Sequence, residues 1–335
     1  MQAVEGIQAG RLYYTAMCPV EYLTGLFKYN DYSLPPAMRS QRVLNKARIP
    51  EMRDYILDGD YTFSALTASV DGDFEFKKLD SKNNHIGVLH IDSNARVIIN
   101  DGQHRREALI EALKLKPELR HEHIVIVFYA DCGLNRSQQI FSDLNRYAIR
   151  PTKSLNILYD NREDFARLVR ESIEEIKGLK GRIEKEKTAI SNRSKDLYTL
   201  SGVYFSIEQL TKNADMPYDE MKRFVVNFYN AAFDNIQEWQ QAIVNKIQPF
   251  DYRKEYITAH TIFIKALGRV GRLLYDKYGE DFISRLAKFS GVNFRKNNPE
   301  LQGTIMYNGK INGAEVGVSS LVNYIMSHIG EEVKC

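Results

Sequence analysis

The stretch Asn100-Asp101-Gly102-Gln103-His104-Arg105-Arg106 joins two segments with different hydrophobic patterns. Before it, residues 95–99 (Ala-Arg-Val-Ile-Ile) are short and β-branched, as in a strand. After it, apolar residues recur at the spacing of one helix face: Ala108, Leu109, Ala112 and Leu113. The sequence therefore predicts a strand that passes through Gly102 directly into a helix.

Three side chains that can carry positive charge, His104, Arg105 and Arg106, fall in the first turn of this predicted helix. Cations at a helix N-terminus cost about 0.3–1 kcal/mol each unless an anion offsets them, because the unbonded N–H groups there are already partly positive. Gly102 lacks a Cβ and lets a phosphate approach the backbone, although Ala would stabilise a helix by about 1 kcal/mol more. The pattern indicates an anion site formed by Gly102, Gln103 and the three cations.

A capped helix without a ligand is the alternative interpretation of the same residues. In it, Asn100 is the N-cap, Gln103 reaches back from the third helical position, and Asp101 interacts favourably with the helix dipole. His104, Arg105 and Arg106 would then point into solvent. Local chemistry alone leaves both interpretations open.

The pattern of elements changes near residue 150 of the 335-residue chain. The first part alternates predicted strands and helices, whereas long helical patterns dominate after Pro151. We expect an α/β domain with a mixed sheet over residues 1–150 and a mainly helical domain over 151–335. The chain is long enough for one large domain or two.

Several turns and helices are predicted from local signals. Asp71-Gly72 lies between the strand-like segments 63–70 and 74–77 and predicts a hairpin, and Asn308-Gly309 predicts another. Thr152 is placed to cap the helix that follows Pro151. Periodicity predicts one long helix over 218–247 and another over 256–278.

Charge is nearly balanced, with 46 basic and 43 acidic residues and a net charge of +3. This excludes a strongly cationic nucleic-acid binder, so any DNA-binding surface must be a local patch. The densest cationic stretch supplies six candidates for phosphate-backbone contacts: Lys180, Arg182, Lys185, Lys187, Arg193 and Lys195. The alternative is an ordinary solvated charged surface.

The three cysteines, Cys18, Cys132 and Cys335, lie far apart and form no Cys-x-x-Cys pair. Such usage is typical of a reduced, cytoplasmic compartment and favours structural or incidental cysteines. The first residues lack a signal-peptide pattern, and the longest apolar run, 124–130, has the length of a strand. We therefore expect a soluble cytoplasmic protein with no membrane partner. His260 precedes a helical apolar pattern, and we expect it to be hydrogen-bonded at the edge of the core.

Residues 101–105 spell Asp-Gly-Gln-His-Arg, and on this motif the chain resembles the DGQHR-domain family, which is similar to the ParB/sulfiredoxin-like fold. Within that family the sequence looks most like the DndB proteins of DNA phosphorothioation (sulfur modification) systems. Further similar segments span both sides of the motif: residues 6–11, 41–50, 63–69, 141–146 and 154–155.

The resemblance implies a nucleotide pocket at the DGQHR turn. In ParB-like folds an N-terminal arginine helps to close the pocket, which makes Arg42 and Arg48 candidate phosphate contacts; solvated loop cations are the alternative. Asn145 and Arg146 resemble a second box that lines the pocket. The implied ligand is ATP or CTP with Mg²⁺.

Two functions are consistent with this resemblance. The first is a DNA-binding regulator, a transcriptional repressor of a phosphorothioation gene cluster. It would bind double-stranded DNA as a homodimer and interact with other proteins of the modification system. The second is a nucleotide hydrolase or DNA-nicking enzyme, in which Asp101 holds Mg²⁺ or water, His104 is the acid/base, and Arg105 stabilises phosphoryl charge.

Overall fold

The structure is a computed structural model, and it describes residues 1–27, 44–80, 83–130, 134–146 and 151–331. The chain divides into two compact units, Met1–Ile149 and Arg150–Cys335. The first unit contains a seven-stranded mixed sheet and the second is mainly helical, so the predicted mixed α/β class is confirmed. Among the described residues, every helix is too short or too polar to cross a bilayer.

The first unit alternates strands and helices along the chain. The strands are β1 (Gln2–Gln8), β2 (Arg11–Pro19), β3 (Leu66–Asp71), β4 (Phe74–Asp80), β5 (Asn83–Ile91), β6 (Arg96–Asp101) and β7 (His123–Ala130). The helices are α1 (Leu23–Leu26), α2 (Ile49–Leu57), α3 (Gln103–Leu115) and α4 (Leu134–Arg146). Pro50 lies in the first turn of α2, where its missing N–H costs nothing.

The sheet has the strand order β4-β5-β1-β2-β7-β3-β6, in which only β3 and β7 are parallel. Although β3 and β4 lie near opposite ends of this order, only residues 72–73 connect them. Two residues span at most about 10 Å, so the sheet must curl until its ends approach each other. The sheet is therefore strongly curved around its apolar face.

The predicted hairpin at Asp71-Gly72 is wrong. Asp71 pairs with Arg96 of β6, whereas Phe74 pairs with Ile91 of β5, so the chain bends here without reversing. Gly72 adopts a φ of 123°, and a Cβ there would lie 2.9 Å from the Ala95 Cα. β3–β4 and β5–β6 are thus two long strands that bend together.

The core of the first unit lies between the sheet and helices α2 and α3. Buried residues of β2, β3, β6 and β7 form one hydrophobic cluster with Ile49, Ile56, Ala108 and Leu109. Cys18 belongs to this cluster, and burial raises the pKa of its thiol to about 11. This agrees with a structural cysteine; Cys132 and Cys335 lie outside the described residues.

Helices make up most of the second unit. They are α5 (Lys153–Tyr159), α6 (Asp164–Glu175), α7 (Leu200–Leu210), α8 (Tyr218–Asp234), α9 (Gln237–Ile243), α10 (Pro249–Glu255), α11 (Thr261–Tyr278), α12 (Phe282–Arg285) and α13 (Glu315–His328). Two short strand pairs accompany them: β8 (Ile183–Glu184) with β9 (Tyr198–Thr199), and β10 (Met306–Tyr307) with β11 (Lys310–Ile311).

Local signals in this unit had mixed outcomes. Thr152 caps α5 by accepting a hydrogen bond from the Leu155 N–H, as predicted. The Asn308-Gly309 turn is confirmed, with both residues at positive φ between β10 and β11. The single helix predicted over 218–247 is wrong, because the chain breaks at residues 235–236 between α8 and α9. The helix predicted over 256–278 begins only at Thr261, after a 3-10 turn.

Helix α7 packs in the interior against α11, and periodicity did not reveal it. Its buried residues include Leu200, Val203 and Ile207, and they face several neighbours, so no polar face marks the helix. A Cβ on Gly268 of α11 would lie 2.0 Å from the Ser206 carbonyl oxygen. Only glycine therefore allows the two helices to approach this closely.

Candidate functional site

The predicted strand-to-helix corner is present at Gly102. β6 ends at Asp101 and α3 begins at Gln103, with Gly102 as the N-cap in the left-handed conformation (φ 98°, ψ 16°). A Cβ at this position would lie 2.4 Å from the Leu66 Cδ2 in β3. Backbone conformation and space therefore both require glycine at the start of α3.

Gln103, the first residue of α3, has an unusual side chain. The residue is 8% exposed, and its Nε2 is buried without a hydrogen-bond partner in the described part of the chain. An unpartnered buried donor costs about 1–3 kcal/mol unless water or a ligand satisfies it. The structure also gives α3 no side-chain cap at Gly102. A buried donor without a partner, the Gln103 Nε2, thus lies where the sequence predicted an anion.

The alternative in which Asn100 caps the helix is wrong. Asn100 is 1% exposed and lies in β6, where the pairing with β3 shifts register between Thr67 and Ala68. Its Oδ1 accepts from the Ser69 hydroxyl at 2.8 Å, and its Nδ2 donates to the Ser137 carbonyl of α4 at 3.4 Å. Asn100 therefore joins two strands and a helix beneath the corner.

His104 is held by a segment that is distant in sequence. Its Nε2 accepts the backbone N–H of Asn45 at 3.1 Å. Asn45 begins a 3-10 turn, Lys46–Arg48, and its Oδ1 caps that turn by accepting from the Ala47 N–H. The ring thus positions an exposed turn that contains Lys46 and Arg48.

Arg48, a predicted phosphate contact, is exposed on the turn Lys46–Arg48. The N-cap of this turn, Asn45, is the residue whose N–H is bonded to His104. Arg42, the other candidate from this segment, lies outside the described residues.

Arg105 faces the protein, and its side chain is only 16% exposed. Its Nη1 donates to the carbonyls of Ser64 at 2.6 Å and Ala65 at 2.9 Å, and also to the Ser64 hydroxyl. Its Nη2 pairs with the Asp101 carboxylate. The guanidinium thereby fixes the chain that enters β3 against the start of α3.

Arg106 likewise contacts the protein. Its Nη2 donates to the Phe27 carbonyl at 3.0 Å, and its Nη1 pairs with Glu107 at 2.9 Å. Two of the three predicted cations of the first turn, Arg105 and Arg106, are thus used to hold neighbouring chain segments.

Asn145 and Arg146 end helix α4, which meets β6 through Ser137. Asn145 lies eight residues further along the helix, a distance of about 12 Å at 1.5 Å per residue. Its Nδ2 donates to the Phe141 carbonyl of the same helix at 2.7 Å, and Arg146 is exposed. The structure places Asn145 in no hydrogen bond with the Gly102 corner among the described residues.

The cationic segment of the second unit forms a loop between β8 and β9. Four of the six predicted DNA contacts are exposed in this loop: Lys185, Lys187, Arg193 and Lys195. Arg182 has a different environment, since its guanidinium donates to the Ile243 carbonyl at 2.9 Å. Lys180 is exposed and lies 3.8 Å from Glu174.

Both ends of this loop are fixed. At its start, the Glu184 carboxylate accepts the N–H groups of Glu186 and Lys187, which lowers the pKa of that carboxyl. At its end, Arg253 donates to the carbonyls of Ser194, at 2.7 Å, and Asp196. The exposed cations are therefore presented on a loop with anchored ends.

A metal centre finds no support in the described residues, which contain no cluster of three or more His, Cys, Asp or Glu side chains suited to a metal. Asp101, the candidate for Mg²⁺, has its carboxylate in the ion pair with Arg105.

Sequence reasoning missed a basic cavity in the second unit, with a volume of about 840 Å³. Arg253-Lys254 and Arg295-Lys296 line it together with His260. The two Arg-Lys pairs were the available signal, but nothing local indicates that they meet. His260 lies at the core edge as predicted, with its Nε2 2.9 Å from the Arg253 carbonyl oxygen.

Comparison with known proteins identifies the family. A family described as DndB, DNA-sulfur modification-associated, matches residues 1–332. The predicted resemblance to DndB is confirmed, whereas the similarity to ParB-like folds stays a prediction. Neither the curated proteins nor the solved structures gave a match. Because the family match covers nearly the whole chain, this protein belongs to the DndB family of DNA-sulfur modification-associated proteins.

Proposed function

We propose that this protein is a DNA-binding regulator of a DNA phosphorothioate-modification gene cluster, acting as a transcriptional repressor. Its family associates it with DNA sulfur modification. The observation that carries the proposal is the loop between β8 and β9, whose four exposed cations have no ion pair in the described part of the chain. The charge of these four side chains is therefore exposed at the surface and available to a partner.

The composition of this loop suits a phosphate backbone. Between residues 185 and 195 the four cations are accompanied by one carboxylate, Glu186. Some other surface cations of the same unit are paired, as in Lys177 with Asp234 and Arg167 with Asp164. Cations that contact DNA phosphates release counterions, which gives affinity without sequence specificity. The loop would position the protein on double-stranded DNA.

We propose in addition that the Gly102 corner binds the phosphate of a nucleotide, ATP or CTP. The start of α3, which has no side-chain cap, and the buried Gln103 Nε2 support an acceptor-rich ligand there. The exposed Lys46 and Arg48 on the turn bonded to His104 would add positive charge. The ligand would act as an effector of DNA binding, with Mg²⁺ bound to the nucleotide.

The geometry favours binding over nucleotide hydrolysis or DNA nicking. Asp101 and Arg105 are the residues to which the catalytic alternative assigns metal binding and charge stabilisation. They instead neutralise each other, and Arg105 also bonds two backbone carbonyls. Catalysis would require both groups to leave these partners.

The test is fluorescence anisotropy with a labelled duplex from the promoter of the modification genes. One variant changes Lys185, Lys187, Arg193 and Lys195 to alanine. The control removes four exposed cations elsewhere in the unit, so the net charge matches: Lys177, Lys212, Arg223 and Lys246. We expect the loop variant to lose about 100-fold in affinity at 0.1 M salt and the control to lose about 3-fold or less. Equal affinities in the two variants would reject the loop as the DNA contact.

A further inference from the structure

The basic cavity of the second unit combines a cationic wall with an exposed aromatic ring. Arg253, Lys254, Arg295 and Lys296 line it, and Glu255 is the carboxylate among its lining residues. Its volume of about 840 Å³ is within the range of small-molecule sites. None of the functions discussed above uses this cavity.

The wall of the cavity includes a buried charged residue, Arg253. Arg253 is 4% exposed, and its guanidinium donates to the carbonyls of Ser194 and Asp196, while its own carbonyl accepts from Lys296 Nζ at 2.5 Å. Burial lowers the pKa of both Arg253 and Lys296. A bound anion would relieve this cost, because it stabilises the charged forms of both groups.

Donor groups remain available in the cavity. The Lys296 ammonium has three N–H donors and makes one hydrogen bond within the described residues, to the Arg253 carbonyl. Lys254 is exposed and has no ion pair within the described residues. Arg295 pairs with Glu255 at 2.9 Å, and its guanidinium lies 4.8 Å from the centre of the Tyr256 ring. Three cations therefore surround the same space, and two of them have unused donors.

An aromatic side chain completes the site. Phe250, in the first turn of α10, is 47% exposed and lines the cavity. Exposed phenyl rings beside cationic grooves stack on nucleobases, a contact that contributes about 1–3 kcal/mol per base. Asn192, from the basic loop between β8 and β9, lines the cavity as well. The cavity is thus continuous with the surface proposed to contact DNA.

We propose that this cavity binds a single nucleotide, with its phosphate on Lys254, Arg295 and Lys296 and its base on Phe250. The nucleotide is either free or an unstacked residue of a DNA strand, since both present the same phosphate and base. The site is separate from the Gly102 corner, and it does not depend on the proposed repressor function.

The experiment is isothermal titration calorimetry with two probes, deoxyadenosine monophosphate and a single-stranded ten-nucleotide DNA. All proteins carry Gln103→Leu, Lys46→Ala and Arg48→Ala, which remove the buried donor and the exposed cations proposed for the Gly102 corner. The test variants are Phe250→Ala and the pair Lys254→Ala with Arg295→Ala. The control pair is Arg223→Ala with Lys246→Ala, which removes two exposed cations outside the cavity.

We expect both test variants to weaken binding of at least one probe about 10-fold or more, and the control to leave it unchanged. If the test variants bind the mononucleotide more weakly, the natural ligand is a free nucleotide. If they bind only the oligonucleotide more weakly, the ligand is an unstacked nucleotide of a DNA strand. Equal affinities in the control and test variants, or no binding of either probe, would overturn the proposal. Failure of promoter binding would contradict the repressor function but would leave mononucleotide binding intact.

Discussion

Arg105 Nη2 and Asp101 Oδ2 form an ion pair of 2.5 Å across one turn at the start of α3. The same guanidinium donates to the carbonyls of Ser64 and Ala65, which precede β3. The pair therefore stabilises the corner that carries the proposed phosphate site.

Replacing Arg105 by lysine tests this structural role. A single ammonium cannot reach both carbonyls and Asp101, so we expect a loss of about 2–3 kcal/mol in the free energy of unfolding. Urea unfolding followed by far-UV circular dichroism measures it. The control is Arg53→Lys at the exposed pair with Asp54, where we expect a loss below about 0.5 kcal/mol. Equal losses at the two sites would contradict the structural role.

Asp101→Ala separates binding from catalysis. Because Arg105 keeps its two backbone partners, we expect this variant to fold and to bind promoter DNA within about 3-fold of the wild-type affinity. Neither protein is expected to release phosphate from ATP or CTP. Phosphate release by the wild type that disappears in the variant would instead support the hydrolase.

Gly102→Ala combines an unfavourable φ with a steric clash. We expect it to destabilise the protein by about 2–4 kcal/mol and to abolish nucleotide binding at the corner. Gly59→Ala is the matched control, since Gly59 also has a positive φ (86°) but the nearest atom to its Cβ is 3.9 Å away. We expect Gly59→Ala to lower the free energy of unfolding by about 1 kcal/mol. A similar cost at both positions would show that Leu66 does not restrict the corner.

The salt dependence of DNA binding measures how many phosphate contacts the loop cations make. Each phosphate contact contributes about −0.9 to the slope of log K against log salt concentration. Alanine at the four loop cations should therefore make the slope less steep by about 3–4. An unchanged slope would mean that other residues contact the phosphates.

His260 should make stability depend on pH. Burial, with a further contribution from the Lys296 charge, lowers the pKa of this imidazole from 6.5 to about 4. The unfolded chain thus binds the proton first as the pH falls, and stability decreases between pH 6.5 and pH 4, by about 3 kcal/mol at most. His260→Gln keeps a donor for the Arg253 carbonyl and should remove this dependence.

Trp239 provides the measurement for this prediction. It is the single tryptophan of the chain, and it is fully buried in the second unit against Phe233. Its fluorescence during urea unfolding at pH 4.5 and pH 7 reports the unit that contains His260. The same pH dependence in wild type and variant would assign the effect to other groups.

Local sequence signals were sufficient where neighbouring residues decide the conformation. The strand-to-helix corner at Gly102, the Thr152 cap and the Asn308-Gly309 turn each depend on backbone preferences within a few residues. The same kind of signal failed at Asp71-Gly72, because strand pairing with β5 and β6 decides whether a turn or a bend forms.

The sequence by itself determined the class of the fold, the family and the positions of the glycine corner and the cationic loop. Tertiary structure alone decided what the charged residues contact. Arg105 and Arg106 are the residue type expected in an anion site, yet they donate hydrogen bonds to backbone carbonyls that lie 41 and 79 residues away in the sequence. The basic cavity likewise exists only because α10 and the segment around Arg295 meet. Hydrogen bonds and Coulomb interactions act through space, so these partners depend on packing between segments that no local pattern specifies.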